Sequence, residues 1–142
     1  MNINIRFFLT IICSAVLLAG CVGTGTKDIG VYVAKIEADG TAVVIRRDTG
    51  YAGTGGLISV KIDGVERGTL GNKEVGIYDV DEGSHSINVH YKGVASIGMN
   101  SVLKSKQLNE GEKVFYTIQQ EVGVFTTKLK MLELTRDGFY QN

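Results

Sequence analysis

The residues that could do chemistry in this chain are few and scattered. His85 and His90 lie five positions apart on one predicted strand, so they point to opposite faces and cannot hold one metal as neighbours. Ser84 beside His85 invites a nucleophile reading, but adjacent strand residues point apart and no Gly-x-Ser-x-Gly elbow occurs. Asp79, Asp81 and Glu82 before Gly83 could offer oxygens to calcium, yet the twelve-residue calcium-loop pattern is missing and a solvated acidic turn explains them. The run GYAGTGG at 50–56 looks like a phosphate cradle until its context is read. Such cradles need a helix that aims N–H groups at the phosphate, whereas here a strand follows and no Gly-Lys-Ser/Thr ending is present. No catalytic residue, cofactor or metal ligand is therefore expected.

Two cysteines remain, Cys13 and Cys21. Cys13 sits inside an apolar N-terminal run expected to be removed, which leaves Cys21 alone. One cysteine allows neither an internal disulfide nor a zinc cluster, so the domain must hold together by its core.

The basic side chains are dispersed as well. Arg46, Arg47, Lys61, Lys104, Lys106, Lys128 and Lys130 are interleaved with acids and read as solvated faces, with alternating lysines guarding sheet edges. The whole chain has 15 Lys+Arg against 15 Asp+Glu, and Arg6 is the sole charge in residues 1–20. That balance makes no electrostatic case for nucleic acid or for a partner recognised by charge alone.

The elements that would position these residues are strands. Alternation of apolar and polar residues predicts strands at 29–36, 41–47, 57–62, 65–70, 75–80, 85–91, 101–108, 114–122 and 126–135. Turn signals separate them, among them Asp39-Gly40, Asp63-Gly64, Gly71-Asn72, Glu82-Gly83 and Glu110-Gly111. Ile58, Val60 and Ile62 should share one face, as should His85, Ile87, Val89 and Tyr91, and likewise Val114, Tyr116 and Ile118. His85 should pack at the core edge and bond the turn beside it. The run Val43-Val44-Ile45 suggests a strand covered on both faces. For 101–108 the inward face is open, since Val102 and Leu108 compete with Leu103. Short strands every 8–12 residues, with no sustained helical period, predict an all-β antiparallel sandwich of about seven to nine strands.

The N-terminus carries a different signal. Residues 7–18 are almost wholly apolar, a run of 12, too short for a hydrocarbon core that takes about 20 helical residues. It fits the h-region of a secretory signal-peptide helix. The run closes on Leu18-Ala19-Gly20-Cys21, which resembles the lipobox of bacterial lipoproteins. The resemblance implies recognition of Leu18, Ala19 and Gly20 by a signal peptidase, cleavage before Cys21, diacylglyceryl transfer to its thiol and acylation of the new N-terminus. Two or three acyl chains make a lasting anchor where one is marginal. Val22 in place of an aspartate implies, by the enteric sorting pattern, the outer membrane facing the periplasm.

A second resemblance runs through residues 41–136. The order Val60-Lys61-Ile62-Asp63-Gly64, Gly68 and Gly83-Ser84-His85-Ser86-Ile87 is similar to the turn-and-core pattern of PEGA-like domains. With Val44-Ile45-Arg46-Arg47, Tyr51-Ala52-Gly53 and the run from Glu110 to Tyr116, it resembles small bacterial lipoproteins of uncharacterised role carrying such a β-sandwich. The prolines usual after the arginine and before the Gly-x-His are missing here.

The expected organisation is a signal peptide at 1–20, a lipidated N-terminus and flexible tether at 21–28, a sandwich at 29–136 and a tail at 137–142. Phe125 and the tail pair Phe139-Tyr140 are the candidate contact points, the tail docking either on its own sandwich or on a partner. The function expected is that of a non-catalytic, lipid-anchored envelope protein acting through protein contacts. The alternative is a periplasmic lipoprotein binding a glycan or lipid fragment.

Overall fold

The computed structural model describes residues 23–50, 56–92, 100–122 and 127–141. Eight of the expected strands form: β1 (Ala42–Arg47), β2 (Leu57–Ile62), β3 (Val65–Leu70), β4 (Val75–Asp79), β5 (Gly83–Lys92), β6 (Val102–Leu108), β7 (Lys113–Val122) and β8 (Thr127–Leu134). They build two four-stranded sheets, ordered β4-β1-β7-β8 and β3-β2-β5-β6. Every pairing is antiparallel except β1 with β7, which run parallel from Ala42↔Lys113 to Arg47↔Ile118. The all-β sandwich is the observed fold.

The period-2 pattern places the core as the sequence predicts. Val43, Ile45, Ile58, Val60, Ile62, Ile87, Val89, Tyr91, Val114, Tyr116 and Ile118 meet between the sheets. β6 turns Leu108 inward, with Val102 packed against the same core, and leaves Leu103 exposed. Each fully buried aliphatic side chain of this kind stabilises the fold by about 1.5–3 kcal/mol relative to exposure.

The predicted strand at 29–36 is instead a helix, α1 (Ile29–Glu37). Asp28 caps it by accepting from the Val31 N–H at 3.2 Å, and Lys35 sits in the last turn where the helix dipole favours a cation. The Val31/Val33 alternation that suggested a strand is incidental. Val31 is exposed, while Tyr32 and Ile36, four apart and so on one helical face, pack on the outer side of the first sheet. Residues 37–40 accordingly lead out of a helix and do not form a hairpin.

Most of the expected tail is helical. Residues Arg136–Tyr140 form a short helix, α2, capped by Thr135 Oγ1, which accepts from the Gly138 N–H at 3.1 Å. Phe139 is buried in a second cluster with Ile36, Val44, Val75 and Phe115. Its ring lies 5.4 Å from that of Phe115 and 6.4 Å, edge to face, from that of Tyr32. Of the two docking possibilities for the tail, Phe139 takes its own sandwich. The two helices thus cover the outer face of the first sheet, which is why Val43-Val44-Ile45 is an unbroken apolar run and every residue of 114–118, Thr117 included, is buried.

Candidate functional site

The segment expected to be a flexible tether is hydrogen-bonded to the fold from Thr24 onward. The Thr24 N–H donates to Thr69 O at 2.8 Å, and the Thr69 N–H donates back to Thr24 Oγ1 at 2.9 Å. Two residues on, Thr26 and Val75 exchange both backbone hydrogen bonds, at 2.9 and 2.8 Å. Thr69 belongs to β3 and Val75 to β4, the edge strands of different sheets. Residues 23–26 therefore form a strap across the open side of the sandwich, satisfying edge groups that would otherwise invite pairing with another chain.

The alternation of glycine and threonine is the chemistry of that strap. A Cβ on Gly25 would stand 2.7 Å from Leu70 Cδ2 and 2.9 Å from Glu74 Cβ, and one on Gly23 would collide with the Glu74 carboxylate and the Gly71 amide. Only glycine lets the backbone lie this close. A Gly-Thr-Gly-Thr run reads as a linker by composition, so composition alone missed it.

The strap reaches one end of the sandwich, closed by a polar network around Arg47. Arg47 is fully buried, against the expectation of a solvated face. Its guanidinium donates to Thr49 Oγ1 at 3.0 Å, Gly56 O at 2.5 Å and Leu70 O at 2.8 Å, and lies over the Tyr91 ring at 5.6 Å. Burial pulls its pKa below the usual guanidinium value. The Glu74 carboxylate beside it accepts from the Gly71 N–H at 2.8 Å and helps hold the charge. Arg46 is not solvated either, since its guanidinium sits 4.9 Å over the Phe139 ring and donates to Phe139 O at 2.6 Å.

His85 does what its position predicts. Its Nδ1 is 2.7 Å from Asp63 Oδ2 and its Nε2 is 2.9 Å from Asp81 O, while Asp63 Oδ1 accepts from the Ser86 N–H at 2.8 Å. The bond to Asp63 raises the His85 pKa, and the bond from His85 is the chief reason the Asp63 carboxyl titrates low. This latch ties the β2–β3 turn to the start of β5. His90 points the other way and pairs across to Ser59, and Ser84 faces solvent. The carboxylates of Asp79, Asp81 and Glu82 are exposed, and among the described residues no group of three or more His, Cys, Asp or Glu side chains could hold a metal ion.

At the opposite end from the strap, an open groove of about 780 Å³ runs between α1, the start of β7 and α2. Ile36, Phe115 and Leu134 form its floor, and Glu37, Lys113 and Arg136 stand on its rim. The rim is spoken for within the chain: Arg136 pairs with Glu37, and Lys113 Nζ donates to Ala38 O at 2.8 Å. It carries no convergent acid and base.

Leu18, Ala19, Gly20 and Cys21 lie outside the described residues, as do Tyr51 and Phe125. No family model matches the chain, and no curated protein matches it.

Proposed function

We propose that the chain is a lipid-anchored, non-catalytic protein of the bacterial cell envelope, held by acyl groups on Cys21 and acting through a β-sandwich interaction domain. Its place is the outer membrane, on the periplasmic side. The observation that carries this reading is the Leu18-Ala19-Gly20-Cys21 motif closing a 12-residue apolar run, two positions before the chain reaches the sandwich at Gly23.

The interior favours protein contacts over a small ligand. The space between the sheets is filled by side chains, and the open groove has a single aromatic, Phe115, in its lining. Ligand pockets instead enclose most of their ligand with apolar and aromatic walls. Exposed Leu103 on edge strand β6 and exposed Leu132 on edge strand β8 are where a partner strand could add.

Cys21→Ser tests the anchor. The variant should lose incorporation of labelled fatty acid and move from the membrane to the soluble fraction. Continued labelling and membrane retention of the variant would defeat the reading.

A further inference from the structure

All four connections on the strap side of the molecule leave the sheets at the same end. β1 ends at Arg47, β3 at Leu70, β5 at Lys92 and β7 at Val122, and the registers Arg46↔Val75, Ile58↔Leu70, Leu57↔Lys92 and Val122↔Thr127 put these termini together. Gly23 is buried beside Gly71 and Glu74 at that end. Only Val22 separates it from Cys21, so the two Cα atoms are at most about 7 Å apart.

We propose that the acylated Cys21 holds the sandwich upright on a phospholipid surface, with the Arg47 end against the bilayer and the groove end turned to the aqueous side. This rests on the lipid-anchor reading and adds to it an orientation. A flexible tether of eight residues would let the domain tumble. A tether whose fourth and sixth residues, Thr24 and Thr26, are already hydrogen-bonded to two edge strands does not.

Charge points the same way. The far-end connections at 38–41, 63–64, 80–82 and 109–112 hold Asp39, Asp63, Asp81, Glu82, Glu110 and Glu112 and no lysine or arginine, and the basic groups on the groove rim there, Lys113 and Arg136, are engaged with Ala38 O and Glu37. At the strap end the exposed charges balance: Asp48 offsets Lys73, Lys92 pairs with Glu66 at 2.6 Å, Lys27 stands beside Asp28, and Glu74 is buried. A bilayer carrying anionic phospholipid repels the acidic end and not the other. The six residues of β1 hold the two ends about 20 Å apart, beyond the screening length of about 8–10 Å at ordinary ionic strength. Upright, the carboxylates are out of range of the surface; inverted, they lie within it.

The test uses the full lipidated protein in vesicles of phosphatidylethanolamine and phosphatidylglycerol, some carrying a nitroxide on the headgroup. With the Cys21 thiol blocked by its lipid, Lys73→Cys and Asp39→Cys each give one position for an environment-sensitive fluorophore. The Lys73 position should be quenched several-fold more than the Asp39 position. Inserting a twelve-residue Gly/Ser segment between Val22 and Gly23 should remove most of that difference. Equal quenching at both positions, or a difference untouched by the insertion, overturns the strap-held orientation while vesicle flotation still upholds the anchor. A protein without acyl mass that fails to float overturns the anchor and the orientation with it.

Discussion

Asp63 is the residue on which the turn chemistry of the second sheet converges. It takes positive φ, at 53°, followed by Gly64 at 79°, the pair of left-handed residues that a two-residue hairpin requires. Gly64→Val should cost about 1 kcal/mol or more by forcing a β-branched residue into that region, read as a lower melting temperature. An unchanged melting temperature would refute the strain. The latch to His85 adds a pH dependence whose sign follows from both partners. His85 has its pKa raised above 6.5, so its contribution is complete below about that pH and fades as pH rises through the folded value. Asp63 is lowered below 3.8, so its contribution is present above that value and is lost as pH falls through the folded one. The stabilisation therefore peaks in mildly acidic solution. Asp63→Asn, which tolerates the same backbone, should lower the melting temperature more at about pH 5.5 than at about pH 9. An equal loss at both would show that the charge on His85 contributes nothing.

At the scale of elements, strands were legible wherever a strand faces one core, because alternation every second residue directly reports burial. The inward rows of β2 and β5, Ile58-Val60-Ile62 and Ile87-Val89-Tyr91, follow that pattern, whereas β7 also buries Phe115 and Thr117 on its other face. The reading broke where burial had another source. α1 is rich in β-branched residues and shows Val31 and Val33 two apart, but its packing rests on Tyr32, Ile36 and a second apolar layer that no local pattern announces. Arg47 was hidden for the same reason: a charged residue ending a strand reads as solvent-facing unless one knows that Thr49, Gly56 and Leu70 converge on it. The strap was hidden by composition, since glycine serves looseness and close approach alike. Gly25→Val separates these roles. It should displace the strap from Leu70 and Glu74, raising amide exchange at Thr26 and Val75 and lowering the melting temperature. Exchange and stability as in the parent would return residues 23–26 to the status of a linker.

At the scale of the whole molecule, the architecture has a direction. One end holds the strap, the buried Arg47 network and the approach to Cys21; the other carries the groove, the start of α2 and the acidic turns. Sequence showed the anchor motif and the sandwich separately but could not join them, because the joint depends on where Gly23 meets β3 and β4. In the proposed orientation the lipid would be more than an address, since it would set which face of the domain a partner can reach. The proposed anchor depends on Cys21. Mass spectrometry of the N-terminal peptide, from protein extracted from membranes of the native host, measures it directly. The expected peptide begins at Cys21 and carries the added mass of a diacylglyceryl group and an amide-linked acyl chain. A peptide running through Gly20-Cys21 with an unmodified thiol would contradict the anchor, and the account built on it.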